Sequence, residues 1–235
     1  MAIPTYVGVG ATTVSATLVS LTPGLPSYAE DDILILHLQT AANGHHMIAP
    51  PSGWTLLDQI GLSGTGGTDI TDTLWWKRAS ASETAPTIDG GFSYNLAKIS
   101  SFRGCAATGS PFNVWGWGHR VTNDTAFGPA LAVTTTDDDC LIALFGGTSD
   151  DNTISSIANS SLSSVTEQYD VNTLEGYDGM IFMATGGLAS AGSSGTWTGT
   201  CTKTEKNAWI VLALTPTVAS DGGAAFNLIP GVFSA

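Results

Sequence analysis

Charge is what this chain has least of. Only 11% of its 235 residues are charged, where a soluble domain usually carries about a quarter. Basic residues are scarcest, 7 Lys and Arg against 20 Asp and Glu, for a net charge of −13. Such a surface repels phosphate backbones and anionic headgroups, so neither nucleic acid nor a membrane is expected as a partner. Cysteine is limited to Cys105, Cys140 and Cys201. The odd number and the lack of a C-x-x-C pair exclude a disulfide framework and a zinc knuckle. Apolar runs stop at about eight residues, too short to cross a bilayer as a helix. The first residues, Met-Ala-Ile-Pro, have neither the basic nor the apolar region of an export signal. Synthesis in a cytoplasm is the expectation.

Helical periodicity is also nearly missing. Instead, Val, Ile, Thr and Trp cluster in short or alternating runs bounded by Gly, Pro, Asp and Asn, the pattern of strands and turns. Strands are predicted near 12–20, 32–40, 54–62, 72–79, 94–103, 114–121, 130–136, 139–146, 164–171, 179–186, 195–202 and 207–215. Residues 33–38 and 140–145 are apolar at nearly every position, so these strands need cover on both faces.

The sequence repeats itself at offsets of 107–112 residues. Asp31-Asp32-Ile33-Leu34 resembles Asp138-Asp139-Cys140-Leu141, and Thr73-Leu74-Trp75-Trp76 resembles Met180-Ile181-Phe182-Met183, both at 107. The loop from Ser82 matches that from Ser193 at 111, and the run from Asn95 matches that from Asn207 at 112. Two such halves, about 12–104 and 119–216, bury their apolar faces best against each other. The expected fold is all-β: a jelly-roll-like β-sandwich over 1–216, formed by two pseudo-repeats, with residues 217–235 as an extended C-terminal arm. The arm's apolar side chains, Phe226, Leu228, Ile229, Val232 and Phe233, follow a Gly-Gly hinge and suit docking on a neighbouring chain.

Motifs of chemistry are scarce. There is no G-x-S-x-G, and the Gly-rich stretch 61–67 lacks the Lys of a phosphate loop. The four His, namely His37, His45, His46 and His119, form no ligand motif. Glu83, Glu167 and Glu175 fall in separate segments and do not form a glycosidase pair. The chain is therefore expected to be non-enzymatic and without a cofactor. Three acidic clusters, Glu30-Asp31-Asp32, Asp137-Asp138-Asp139 and Asp150-Asp151, have two readings. They are Ca²⁺ ligands between loops, or strand-end acids that shape turns and shield edges. The missing D-x-D-x-D-G spacing favours the second. Trp115-Gly116-Trp117-Gly118 sets two indoles on one face of an extended segment. That suits a sugar-binding platform, and it also suits packing in a core or a subunit interface.

Several runs have a familiar order. Pro50-Pro51-Ser52-Gly53-Trp54-Thr55, Leu74-Trp75-Trp76-Lys77-Arg78-Ala79, Ile99-Ser100-Ser101-Phe102-Arg103-Gly104 and Thr108-Gly109-Ser110-Pro111-Phe112 resemble motifs of tailed-bacteriophage virion structural proteins of the minor-tail and head-decoration type. The resemblance spans roughly residues 5–215. It implies a virion component at the tail, neck or collar, or capsid surface. Its partners would be other virion proteins and copies of itself. A carbohydrate- or receptor-binding module reading host surface glycan is the alternative. The motifs are structural, and no functional residue follows from the resemblance.

Overall fold

The computed structural model describes residues 2–15, 20–42, 48–62, 69–89, 94–174 and 178–217. The arm residues Phe226, Leu228, Ile229, Val232 and Phe233 lie outside these, as do His45, His46, Glu175 and most of the 61–67 stretch. The described residues contain no helix. Their twelve strands build two antiparallel six-stranded sheets packed as a β-sandwich. The first sheet contains β1 (Thr5–Val9), β2 (Thr13–Ser15), β3 (Ile33–Ala42), β4 (Thr55–Leu62), β5 (Asp69–Arg78) and β6 (Tyr94–Arg103). Its order is β1-β6-β3-β5-β4, with β2 also on β6. The second contains β7 (Phe112–Ala130), β8 (Cys140–Thr148), β9 (Ile154–Ala158), β10 (Ser163–Thr173), β11 (Gly179–Leu188) and β12 (Trp197–Leu214). Read from β7, its order is β7-β12-β8-β11-β10, with β9 also on β12.

Leaving β2 and β9 aside, both sheets place their five strands in the same order: first, last, second, fourth, third. The chain finishes one sheet before it starts the other, so the strands are not interleaved between sheets as a jelly roll implies. Strand pairing gives its own correspondence between the two sheets. If Asn95 is matched to Asn207, their partners Thr40 and Thr148 correspond at an offset of 108. The next partners, Thr71 and Met180, correspond at 109. Asp31 and Asp139, also 108 apart, both take a positive φ at the entry to their strands, a conformation Asp tolerates better than most residues. The correspondence of strand pairs between the sheets thus differs from the sequence offset of 107 by one residue for β3 with β8 and by two for β5 with β11. Ahead of residues 12 and 119, β1 and the start of β7 hold equivalent edges of the two sheets.

Three apolar layers result. Between the sheets, Ile33, Ile35, Leu74, Leu96 and Phe102 meet Leu141, Phe145, Ile181, Met183, Ile210 and Leu212. The outer face of the first sheet, with Leu34, Leu36, Trp75 and Ile99, is covered by Leu21, Ile48, Trp54 and Ile88. The outer face of the second, with Ile142, Leu144, Phe182 and Val211, is covered by Phe127, Val133, Ile154 and Trp197. This double cover is why β8 and β11 are buried at every position and why their sequences do not alternate.

Several strand expectations change. β1 and β9 were not expected. The segments 195–202 and 207–215 are one bent strand, β12, whose register on β7 shifts around Glu205. Residues 131–136 form no strand of the sheets, although Val133 and Thr135 make backbone bonds with Ser194 and Gly192 around a bridge from Thr134 to Ser193. At its described end the chain returns to the first half. Thr217 donates its N–H to the Gly104 carbonyl (2.8 Å) and its hydroxyl to the Cys105 carbonyl (2.7 Å).

Candidate functional site

The Trp115 and Trp117 side chains lie on one face of β7, opposite Leu212 and Ile210 of β12. Directly paired residues share a face, and Ile210 and Leu212 point into the inter-sheet core. The two indoles therefore continue the inner face of the second sheet. The first sheet does not cover them. Its edge strand β4 packs mainly over β12 and only partly over β7. Trp115 is left 44% exposed and Trp117 50%. The intervening glycines fit the other face. A Cβ on Gly118 would sit 2.7 Å from the buried Trp209 indole, and one on Gly116 would sit 2.7 Å from Leu131.

The shelf is braced. Trp115 stands edge-on to Phe112 at a ring separation of 6.3 Å, and Phe112 stands edge-on to Trp76 at 5.3 Å. Trp117 stacks near-parallel on His119, at 6.3 Å and 11°. From β4, the Asp58 carboxylate accepts the Gln59 N–H at 2.8 Å and lies near enough to the Trp115 indole to be stabilised by it. Burial pushes the Asp58 carboxyl above its ordinary range, and those two groups oppose the shift. The site is thus two half-exposed indoles, an imidazole in line with them and one carboxylate at the rim. Asp58 and His119 were not singled out from sequence as parts of a site. A lone acid in a strand carries no signal until the strand that faces it is known.

Other sequence candidates have internal partners. Asp32 is buried and receives two bonds from Arg103, at 2.9 and 2.7 Å, plus the Ala29 N–H at 2.8 Å. Asp138 accepts the Ala191 N–H at 2.7 Å. Asp150 and Asp151 come together with Asp178, close enough to share an ion. The Lys203 ammonium pairs with both Asp150 and Asp151 and supplies the counter-charge itself. Glu83 pairs with Lys77 and accepts from Ser80, which holds its carboxyl below the ordinary range against the effect of burial. All three thiols are free and buried. Burial raises Cys105 to about 12 and Cys140 and Cys201 to about 11, so none is an activated nucleophile.

His37 belongs to a polar layer inside the sandwich. Its Nε2 lies 3.2 Å from Asp72 Oδ1 and its Nδ1 3.1 Å from the Tyr169 hydroxyl. Gln39 donates to Asp72 (3.3 Å) and to the Met180 carbonyl (3.1 Å). With Asp72 accepting, Nε2 carries a proton, and Nδ1 shares a hydrogen bond with the Tyr169 hydroxyl. The order Tyr, His, Asp looks like a proton relay, but every member is buried between the sheets. At the opposite open edge, a cavity of about 220 Å³ lies between Ile3, Pro4, Leu141, Ser163 and Thr185, with no titratable side chain in its lining.

Comparison with protein-family models, curated proteins and solved structures finds no match.

Proposed function

We propose that the protein is a structural component of a bacteriophage particle, acting through protein–protein assembly and without catalysis. The observation that supports this best is the use made of the residues that carry the phage resemblance. They build the first sheet and its junction with the second. Trp54 and Trp75 fill the outer layer. Lys77 pairs with Glu83, and Arg78 donates to the Ala106 carbonyl at 2.7 Å. Arg103 neutralises the buried Asp32. Gly104 and Gly109 take positive φ values of 77° and 70° in the crossover, and Phe112 wedges between Trp76 and Trp115. The resemblance is therefore one of scaffold, and the function that goes with a rigid scaffold is assembly. The equal strand orders support reading the halves as copies of one unit.

Quantitative mass spectrometry of density-purified particles tests the assignment. Recovery at a fixed copy number per particle supports it, and recovery only from the soluble lysate refutes it. Truncation after Ala219 tests the arm. A chain that stays folded but no longer joins the particle assigns the arm to assembly. Unchanged assembly with a large fall in melting temperature assigns it to its own core.

A second reading, host-glycan or receptor binding, is favoured by one specific observation. Trp115 and Trp117 present side by side on an edge that the facing sheet leaves open.

A further inference from the structure

We propose that the open edge between β4 and β7 binds a neutral oligosaccharide, with successive sugar rings on Trp115 and Trp117 and ring hydroxyls bonded to Asp58. The proposal rests on the receptor-binding reading and specifies its ligand. Residues two apart on a strand stand roughly 6.7 Å apart on one face. The two indoles therefore address adjacent units of one chain rather than a single ring. An indole offers a flat apolar face to the C–H side of a pyranose. Asp58 supplies what stacking lacks, an acceptor for hydroxyl donors, oriented by the Gln59 N–H beside the Trp115 indole.

The size of the shelf argues against a stable protein contact. A Trp side chain carries about 150–250 Å². At 44% and 50% exposure, the pair offers roughly 200 Å². A stable protein interface needs about 800 Å² from each partner. Beyond the indoles the face is continued by His119 and Val121, while Thr122 and Asn123 beside them are exposed and polar. Charge narrows the sugar. With a net charge of −13 and a carboxylate in the site, uronic and sialic acids are disfavoured.

Tryptophan-fluorescence titration of the full chain tests this, because Trp54, Trp75, Trp197 and Trp209 are buried, Trp76 is partly buried, and the double variant assigns any change on binding to the exposed pair. The probes are cellohexaose, N-acetylchitohexaose and a galacturonic acid hexamer. Saturable binding of at least one neutral probe is expected, with no binding of the acidic one. Trp117→Ala should weaken it by about tenfold. The Trp115→Ala, Trp117→Ala double variant should abolish it, and Asp58→Asn should weaken it several-fold. Trp117 is the more exposed of the two, so its single variant keeps the test valid if Trp115→Ala disturbs Phe112. No binding of either neutral probe at millimolar concentration overturns the proposal, and so does binding unchanged in the double variant. Loss of self-association in the double variant, with no sugar bound by the parent, makes the shelf a protein contact and also overturns it. Platform-dependent binding of acidic glycans alone on an array overturns the neutral-ligand inference and leaves the receptor-binding reading standing.

Discussion

Gly147 of β8 lies against Gln39 and Asp72 of the facing sheet with no room for a side chain, and replacing it is expected to be costly. A Cβ there would sit 2.2 Å from Gln39 Nε2 and 2.8 Å from Asp72 Oδ1. Both side chains are buried and tied to each other, and Gln39 also to the Met180 carbonyl, so neither moves aside freely. In Gly147→Ala, overpacking contributes about 1–3 kcal/mol. Losing a Gln39 bond to the carboxylate contributes about 1.5–3 kcal/mol more. The total is roughly 2.5–6 kcal/mol, or about 5–24 °C in melting temperature for a chain of this size. Thermal and urea unfolding followed by circular dichroism reads it. Shortening the obstacle should restore part of the loss, so Gln39→Ala with Gly147→Ala should be less destabilised than the two single effects added together. A Gly147→Ala variant within about 0.5 kcal/mol of the parent, a surface-like effect, would refute the close approach.

Asp170 provides a pH test. Its Oδ1 is buried without a hydrogen-bond partner, and burial raises its pKa to about 6, opposed by the Ile154 N–H on Oδ2. An acid raised on folding holds its proton more tightly in the native state. Its favourable contribution is present at low pH and lost as the pH rises from the usual carboxylate range through about 6. Asp170→Asn should therefore gain urea resistance over the parent as the pH rises across that window and hold the gain above it; a constant difference would contradict the assignment. For the acidic triad, millimolar CaCl₂ or EDTA should leave the parent's melting temperature unchanged, because Lys203 already pairs with Asp150 and Asp151. Lys203→Met should make melting Ca²⁺-dependent, and a parent that responds to EDTA would show that an ion belongs there. Thiol titration at pH 8 should detect none of the three cysteines in the folded protein and all three in urea.

The strand class and the two-sided burial of residues 33–38 and 140–145 were legible because unbroken apolar runs bounded by acidic turns have few other readings. The same property hid the register. Where both faces are buried, no alternation marks the inward residue, and a one-residue slip costs nothing in the pattern. Only the pairing of Thr40 with Asn95 and of Thr148 with Asn207 resolves it. β1 escaped notice because its five residues, Thr5–Val9, are only partly buried on a sheet edge. The platform was half legible. The spacing of Trp115 and Trp117 announced a shared face, but whether that face was covered depended on where β4 lies. Asp58 joined the site only through that placement, and His37 found Asp72 and Tyr169 through pairing and sheet stacking.

Because each sheet is contiguous in sequence, the ribosome delivers them one after the other. The first is complete at Arg103, and the last strand of the second ends at Leu214, about 110 residues later. At typical elongation rates that interval lasts roughly 5–20 s. Throughout it Ile33, Ile35, Leu74, Leu96 and Phe102 have an outer layer behind them and no second sheet in front. Nascent chains on one message could then meet through that bare face. The polar layer makes such a meeting unfavourable. His37, Gln39 and Asp72 all belong to the first sheet, while the second supplies the Tyr169 hydroxyl and the Met180 carbonyl that complete the layer. Two first halves face to face would bury His37 without the Tyr169 hydroxyl and Gln39 without the Met180 carbonyl, and a buried polar group left without its partner is costly. The buried histidine and its neighbours thereby give the waiting half a preference for its own second half over another copy of itself.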